Sequence, residues 1–367
     1  MNQHYVPKIY LKNFAIQKAK GFFVDVYDKE KDRYFETNIK KICAEVDLYT
    51  LKEDTKVAED LFIIEKIYSN GLEPLYVKAY DILTNHNRSS ISQLERSEIL
   101  IAIFQLYLRN PSFIKRSISF HQKEISKQFK EAKENGSKGI TYLEEDFSFR
   151  EWDEDKIVKF FKDKITTKFK EEHIGGIGQI SDFHENAIIE ITIAKEGGEF
   201  FTSDNPLIFE DYLTDDEHPL LKSKEFLVTL NKKVALRLFH DNTKRKDLIY
   251  RRFMPNLSVE IMNKAIYEQS SRFVIASKTK LDEHFRLSKG FLDNTSLNLK
   301  IDMMKQIVEK FEVTKENNES MEILKFYFNR HDANSGSRKL KEREREKERR
   351  FLIFNFCCCW LIENVID

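Results

Sequence analysis

The stretch from Ser92 to Leu108, SQLERSEILIAIFQLYL, decides the fold of this 367-residue chain. Ser92 is followed three residues later by Glu95, which is the capping-box spacing of a helix N-terminus. Residues 99–108 are almost entirely apolar, and a helix that is apolar on every side belongs at the centre of a bundle. We therefore predict a buried central helix whose residues 99–108 are almost fully shielded from solvent.

Two more helices are predicted after this central helix. Asn110-Pro111 ends the central helix and starts a second one that runs to about Lys133. Residues 152–172 fit a further, charged helix. The glycine cluster at 173–178 follows that helix, whereas a phosphate cradle needs its glycines between a strand and a helix. It is therefore predicted to be a flexible connector.

The N-terminal region combines short helical and strand patterns. Pro7 suits the first position of a short helix or turn within residues 1–14. Alternating apolar residues predict a β-hairpin over residues 22–35. From residue 57 the apolar residues recur at helical spacing, which predicts an amphipathic helix to about residue 70.

The later part of the chain alternates with a period of two, which is typical of strands. The pattern predicts strands at 187–193, 199–209, 226–239 (divided by a turn at 231–233) and 273–276, with a helix at 258–270. Helices first and strands later favour an α+β fold: a helical bundle region plus a small, mostly antiparallel sheet, with a charged C-terminal extension. The predicted regions are the N-terminal box and hairpin at 1–56, the helical region at 57–172, the strand-rich region that packs with the hairpin at 173–300, and a helical, charged and partly disordered tail at 301–367.

Charge and cysteine usage limit the classes of function. The 61 basic and 61 acidic residues cancel, whereas a protein that holds long nucleic acid by electrostatics alone carries a positive excess. Nucleic-acid binding would therefore need a local basic patch. Cys43 and the adjacent cysteines at 357–359 have neither disulfide nor zinc spacing, so a cytoplasmic location is expected. The apolar run at 351–362 is shorter than the about 20 residues that span a bilayer.

Several short sequence boxes follow one another along the chain. They are HYVPKIYLKNF at 4–14, QLYLRNP at 105–111 and FTSDNP at 201–206, followed by Asn263 ahead of the strand pattern at 272–277. Together they resemble the family known as domain of unknown function 4238, over about residues 2–280. This resemblance implies no established activity, and the tail after about residue 300 departs from the family pattern.

The polar residues inside these boxes are the candidate catalytic set. His4, Arg109 and Asp204 supply an imidazole, a guanidinium and a carboxylate, which suit acid–base chemistry and the binding of an anion. The neighbouring Thr202, Ser203 and Asn205 are the corresponding candidates for substrate contact. A structural alternative exists for the three catalytic candidates: a helix start for His4, a helix C-terminus for Arg109, and a turn for Asp204.

A second set of candidates lies in the densest basic cluster, at 243–252. Lys244, Arg245, Arg251 and Arg252 surround Tyr250, so cations that suit phosphates lie beside a ring that suits a base. The cluster predicts nucleic acid or a phosphate-bearing molecule as partner. The alternative is a solvated loop balanced by acids elsewhere.

Two weaker patterns occur in the sequence as well. Arg116 and His121 have a spacing that resembles the catalytic element of a helical ribonuclease superfamily, but residues five apart on a helix do not share a face. His4, Glu65 and Asp204 have side chains that suit a divalent ion. In both cases ordinary surface or structural roles are the simpler interpretation.

The sequence is compatible with two functions. One is a hydrolase that acts on nucleic acid or a phosphate-bearing molecule, in a bacterial defence or stress system, with His4, Arg109 and Asp204 in its site. The alternative is a non-catalytic module that binds nucleic acid or protein through the basic cluster. Convergence of the boxed residues in one concave pocket would favour the enzyme, and scattering would favour the binding module. Residues after about 330 are expected to contribute little to the core, and the sequence predicts neither cofactor nor oligomeric state.

Overall fold

The structure is a computed structural model that describes residues 2–52, 58–209 and 225–292. It has a mixed α+β fold with several small, mostly antiparallel sheets. The helices are α1 (Lys8–Leu11), α2 (Ile63–Ile67), α3 (Glu73–Thr84), α4 (Gln93–Leu108), α5 (Pro111–Glu134), α6 (Glu154–Phe183), α7 (Asn256–Gln269) and α8 (Lys278–Leu292), with a π-helical turn at Tyr68–Leu72 and 3₁₀ turns at Lys12–Phe14 and Ile39–Lys41. The strands are β1 (Asn2–His4), β2 (Ile16–Lys18), β3 (Gly21–Asp28), β4 (Arg33–Asn38), β5 (Ala44–Val46), β6 (Gly139–Tyr142), β7 (Glu145–Ser148), β8 (Ile188–Ala194), β9 (Thr202–Ser203), β10 (Leu207–Phe209), β11 (Glu225–Thr229), β12 (Val234–Phe239), β13 (Ile249–Met254) and β14 (Phe273–Ile275).

Helix α4 is the central helix that the sequence predicts. Its N-terminus has the expected capping box, in which Ser92 and Glu95 each accept a hydrogen bond from the backbone N–H of the other. From Ile99 to Leu108 every residue except Ile101 is buried. The prediction of a buried central helix is therefore confirmed.

Arg96 fastens the start of α4 to the sheet region. Its buried guanidinium donates to the backbone carbonyl oxygens of Glu185, Ala187 and Lys246. These carbonyls belong to the connection between α6 and β8 and to the loop before β13. One cation therefore holds the helical and strand-rich parts together at this end of α4.

The larger sheet has the strand order β10-β11-β12-β8-β13. Its strands pair antiparallel except for β13, which runs parallel to β8. On one face Ile189, Ile191 and Leu236 share a single core with the helices around α4. On the other face a second core includes Ala235 and reaches α7.

A second sheet joins the N-terminal hairpin to later segments of the chain. Strands β3 and β4 form the hairpin that the sequence predicts near 22–35. Strand β14 lies between β3 and β9, so that Val274 is opposite both Tyr27 and Ser203. Arg272 reinforces the junction through an ion pair with the buried carboxylate of Asp28.

Helix α6 corrects two sequence predictions. The helix predicted at 152–172 continues to Phe183, so the glycines at 175, 176 and 178 lie inside it and do not form a flexible connector. Buried His173, Ile177 and Ile180 follow each other at helical spacing in this segment. Their burial outweighs the helix-weakening effect of glycine, which costs about 1 kcal/mol per residue.

The segment predicted as a helix over 57–70 also differs from the prediction. Helical structure starts only at Ile63 and continues through the π turn into α3, which ends at Thr84. The start of the predicted helix at residue 57 lies outside the described residues. A local apolar period does not reveal a π turn, because the turn shifts the period by one residue.

Two strand predictions change as well. The strand predicted at 199–209 is divided by the Asn205-Pro206 turn into β9 and β10, which belong to different sheets. The basic cluster, expected to be a solvated loop if it is not a binding site, continues into β13. The β6–β7 hairpin was not predicted; it packs with α5 and α6 around a separate small core that includes Phe147 and Phe161.

The C-terminal predictions concern residues that the structure does not describe. The tail at 301–367, with its charged run and the apolar segment at 351–362, lies outside the described residues. Its small contribution to the core therefore stays a prediction, as do the four predicted regions. Among the described helices, none is long and apolar enough to cross a membrane.

Because α4 is the central helix, two of its leucines should differ strongly in how much they contribute to the free energy of unfolding. Leu100 is buried, whereas Leu94 is 67% exposed. We expect Leu100→Ala to lower the free energy of unfolding by about 2–5 kcal/mol, because it removes buried methyl groups and leaves a cavity. The matched change Leu94→Ala is expected to cost less than about 0.5 kcal/mol. Urea denaturation measures both, and equal losses would contradict the central position of α4.

Candidate functional site

Arg109 lies fully buried at the C-terminal end of α4, where three parts of the chain meet. Its guanidinium donates from Nη2 to the carbonyl oxygen of His4 at 2.5 Å and forms an ion pair from Nη1 to Glu73 at 3.3 Å. The guanidinium carbon lies 4.0 Å from the centre of the Tyr68 ring, which gives a cation–π contact. The Nε atom has no hydrogen-bond partner among the described residues.

The π turn between α2 and α3 forms one wall of this site. It places Tyr68 against Arg109 and directs the carbonyl of Leu72 to Gln105, whose Nε2 donates to it at 2.8 Å. π-Helical turns occur frequently at functional sites. Glu65 and Glu73, on either side of the turn, are only partly buried, so this edge of the site lies near the surface.

His4 forms a second wall from strand β1, which pairs with β5. The backbone of Ile39 and Lys40 is close enough to the imidazole to influence its pKa, whereas Nε2 is buried without a partner in the described part of the chain. We assign the Nδ1–H tautomer to this ring, with Nδ1 towards those backbone groups and the lone pair on Nε2. Burial, helped by nearby Lys8, lowers the pKa of His4 to about 4.

His173 of α6 forms the third wall, and sequence reasoning missed it. Its ring stacks on Phe169 at 4.4 Å between centroids and on Tyr49 at 5.5 Å. Nδ1 lies 2.6 Å from the carbonyl oxygen of Phe169, and Nε2 is buried with no partner among the described residues. Burial lowers the pKa of His173 to about 4, so the ring is neutral at pH 7.

Unpaired polar atoms concentrate around this arginine. We call the group the Arg109 centre and define it as Arg109 with His4, Glu65, Tyr68, Gln105 and His173. Within the described residues each member has a buried side-chain atom without a hydrogen-bond partner: His4 Nε2, Glu65 Oε2, Tyr68 Oη, Gln105 Oε1, Arg109 Nε and His173 Nε2. Such an atom costs about 1–3 kcal/mol unless something occupies the site.

The electrostatics of the centre are dominated by burial. Burial raises the pKa of the Glu65 carboxyl, although the Arg109 charge opposes the shift. Burial also raises the pKa of the Tyr68 hydroxyl. The centre therefore holds one permanent cation among imidazole and phenol groups that are neutral at pH 7, beside a carboxyl group that takes up a proton more readily than usual.

Asp204 occupies a corner next to this centre. Its carboxylate accepts hydrogen bonds from the backbone N–H groups of Ser271 (2.9 Å), Arg272 (2.7 Å) and Phe273 (3.0 Å). Its own carbonyl accepts from Asn110 Nδ2 at 2.6 Å. Burial raises the pKa of Asp204, and the three amide donors oppose that shift. These contacts are those of a residue that fixes the start of β14.

The other residues of the FTSDNP box are also buried and bonded internally. Thr202 shares a 2.6 Å hydrogen bond with the Tyr10 hydroxyl, so the N-terminal box and the FTSDNP box meet in space. Ser203 bonds to the backbone of Asn205. The Asn205 side chain donates to the carbonyl of Gln269 at 3.2 Å.

The structure therefore brings together two of the three candidate catalytic residues. Arg109 contacts the backbone of His4 directly, and Asp204 is linked to the end of α4 through Asn110. Among the contacts of the described residues, none joins the Asp204 carboxylate to the side chain of His4 or Arg109. The catalytic role of all three stays a prediction, and the contacts of Asp204 favour its structural alternative.

The basic cluster uses most of its cations within the fold. Arg245 pairs with Asp247 at 2.6 Å, and Arg252 pairs with Glu190 at 3.4 Å. Arg251 donates to the carbonyls of Arg88 and Asn85, just beyond the end of α3. Lys244 lies over the rings of Phe239 and Tyr250, at 4.8 and 4.9 Å from their centres. The predicted contacts of these residues with a phosphate stay untested.

The weaker sequence patterns have structural explanations. His121 is buried in the small core of the β6–β7 hairpin, where Nδ1 lies 2.7 Å from the Tyr142 hydroxyl. Burial lowers the pKa of His121 to about 4. Within the described residues no three His, Cys, Asp or Glu side chains form a group that fits a metal ion, so the geometry does not support the His4, Glu65 and Asp204 combination.

A surface groove lies at another place in the fold. Its walls include Phe14, Phe23, Asp25, Lys232 and Ile275, near the gap between β2 and β14. None of the residues predicted for the site belongs to these walls. The candidate site is therefore the Arg109 centre, chosen for its unpaired buried polar atoms and not for a groove.

The fold and the Arg109 centre define an α+β protein with a polar site buried at the end of its central helix. The chain belongs to the family described as "Protein of unknown function (DUF4238)", whose model matches residues 2–280. This match agrees with the resemblance inferred from the sequence boxes. The chain matches no curated protein and no solved structure.

The three amide contacts of Asp204 predict that removing its negative charge strongly lowers the free energy of unfolding. Asp204→Asn leaves a single carbonyl oxygen for three backbone donors and turns an amide group towards them. We expect the free energy of unfolding to fall by about 2–3 kcal/mol. The control is Asp163→Asn, at an exposed position of α6, where the change should stay within about 0.5 kcal/mol. Chemical denaturation compares the two, and a small effect at Asp204 would contradict the corner's structural role.

The buried imidazoles predict acid sensitivity. The pKa values of His4, His121 and His173 are lowered to about 4 in the folded chain, so only the unfolded chain takes up their protons between pH 6.5 and 4. The free energy of unfolding should fall as the pH falls through this range, by roughly 1.4 kcal/mol per pH unit for each imidazole. His173→Gln should make the pH profile shallower, whereas His86→Gln, at an exposed position, should not. Urea denaturation at several pH values measures this slope, and identical slopes would refute the prediction.

Proposed function

We propose that this chain is a hydrolase that acts on a phosphate-bearing substrate, such as a nucleotide or the end of a nucleic-acid strand, with the Arg109 centre as its active site. The observation that supports the proposal is the concentration of unpaired buried polar atoms around one buried cation. Unpaired groups are costly in a folded protein, and active sites are where they are retained. The partly exposed Glu65 and Glu73 mark the way in from solvent.

His4 is the proposed general base. Its ring is neutral at pH 7, because burial keeps its pKa near 4. The backbone contact at Nδ1 fixes the ring, so that the Nε2 lone pair accepts a proton from the attacking water. A backbone carbonyl commonly orients a histidine in this way.

Arg109, Tyr68 and Glu65 complete the proposed chemistry. The Nε–H of Arg109 and the hydroxyl of Tyr68 donate hydrogen bonds to an oxygen that gains negative charge in the transition state. Glu65, whose pKa is raised by burial, gives a proton to the leaving group. Water thus loses its proton to His4 and adds as hydroxide, while the leaving group departs with the proton from Glu65.

Lys8 is the proposed anchor for the phosphate. It is exposed on α1, near enough to both His4 and Glu65 to affect their pKa values. No described residue forms an ion pair with it. A lysine ammonium binds phosphate as a point charge without strict geometry. The phosphate would then lie at the mouth of the site, and the reacting bond beside the Arg109 centre.

In this proposal Asp204 is a positioning residue. It holds the start of β14 with its carboxylate, and its carbonyl accepts from Asn110, the residue that follows Arg109. This chain of contacts fixes the end of α4 and therefore the direction of the guanidinium.

We expect the wild-type chain to hydrolyse at least one of AMP, ATP, NAD and a single-stranded RNA oligonucleotide, as followed by chromatography and mass spectrometry. His4→Gln should lower the rate by about 100-fold or more, because a general base contributes about that factor. His86→Gln is the matched control and should keep the wild-type rate.

Thermal unfolding of His4→Gln checks that a lost rate is not a lost fold, and Glu65→Gln at the partly exposed mouth provides a second variant. Full activity in both variants would exclude the Arg109 centre as the active site. A folded wild-type chain that hydrolyses none of the four compounds contradicts the proposal and favours the non-catalytic binding module.

A further inference from the structure

Most of the unpaired atoms of the Arg109 centre are hydrogen-bond acceptors. His4 Nε2, His173 Nε2 and Gln105 Oε1 are acceptors, and Glu65 Oε2 is an acceptor whenever the carboxyl group is ionised. Only Arg109 Nε is solely a donor, and the Tyr68 hydroxyl acts in either sense. The group that fills this site must therefore bring donors of its own.

Two histidines, His4 and His173, each contribute one unpaired Nε2 atom among the described residues. Nδ1 of His173 lies 2.6 Å from the carbonyl oxygen of Phe169, and we assign the same tautomer to His4, whose pKa is influenced by the backbone of Ile39 and Lys40. Both Nε2 atoms are thereby left as acceptors inside the centre. The Gln105 amide is fixed in the same sense, because its Nε2 donates to the Leu72 carbonyl and leaves Oε1 without a partner among the described residues.

This arrangement disfavours a phosphate group beside the acceptor atoms of the centre. A phosphate at neutral pH carries acceptor oxygens and almost no donors, so its oxygens would face the lone pairs of two imidazoles and an amide. A hydroxyl or amino group offers the missing donors, and its oxygen or nitrogen accepts from Arg109 Nε–H.

We propose that the Arg109 centre binds a hydroxyl- or amino-bearing part of the substrate, the sugar or the base edge of a nucleotide, while the phosphate stays outside at Lys8. This inference rests on the proposed function for the substrate class. Beyond the proposed function, it states which end of the substrate is buried. The residues that select this end are His4, His173 and Gln105.

The test is a binding experiment that does not depend on turnover. The protein is labelled with ¹⁵N, and the imidazole signals of His4 and His173 are assigned from the variants His4→Gln and His173→Gln. AMP, ribose 5-phosphate and inorganic phosphate are then titrated separately at the same concentrations. AMP, ribose 5-phosphate or both should shift the two imidazole signals, and inorganic phosphate should shift neither. A response to AMP alone identifies the base edge as the buried part, and a response to ribose 5-phosphate identifies the sugar.

Lys8→Gln supplies an independent readout of the phosphate position. It should weaken the binding of AMP by about twofold to fivefold, as expected for one exposed ion pair, and leave the binding of adenosine unchanged. The control is Lys127→Gln, at an exposed position of α5, which should affect neither.

The inference is overturned if inorganic phosphate shifts the two imidazole signals as strongly as AMP, or if neither organic phosphate shifts them. Failure of the proposed function is a different result. Binding of AMP in the expected way, without hydrolysis of any compound, supports the inference and rejects the hydrolase.

Discussion

The rest of the structure depends on the burial of one cation, Arg109, at the end of an apolar helix. A charge without water is costly unless the protein replaces the hydration shell. Here the replacement comes from distant parts of the chain: the carbonyl of His4, the carboxylate of Glu73 and the ring of Tyr68. Strand β1, the π turn and α3 must therefore meet at the end of α4, and this requirement explains why the N-terminal box lies against the helical bundle.

The sequence predicts those elements whose signals are local. The capping box at Ser92, the apolar run of α4 and the alternating hairpin at 22–35 each specify a structure within a dozen residues, and all three are confirmed. The elements that it misses depend on distant packing. Helix α6 crosses its glycines where His173 and Ile177 are buried, and the π turn contains Tyr68, which packs against the distant Arg109.

The candidate site was predictable only in part, for the same reason. Sequence boxes indicated His4 and Arg109, which the fold brings into contact. They also indicated Asp204. Its carboxylate binds three backbone amides that lie 67 to 69 residues further along the chain. In the sequence, such a carboxylate looks the same as one that binds water. His173 carried no signal, since a single histidine beside glycines on a charged helix is ordinary. Its place in the site comes from the aromatic stack with Phe169 and Tyr49.

The pairing of β14 with β3 has a consequence for how the chain folds as it is synthesised. Arg272 meets Asp28 across 244 residues of sequence. A ribosome adds about 5–20 residues per second, so the N-terminal hairpin waits for roughly tens of seconds before its neighbour emerges. During that time β3 exposes an unpaired edge, which is the kind of surface that chaperones bind and on which aggregation starts. The nascent hairpin is therefore a segment that benefits from protection until β14 has been synthesised.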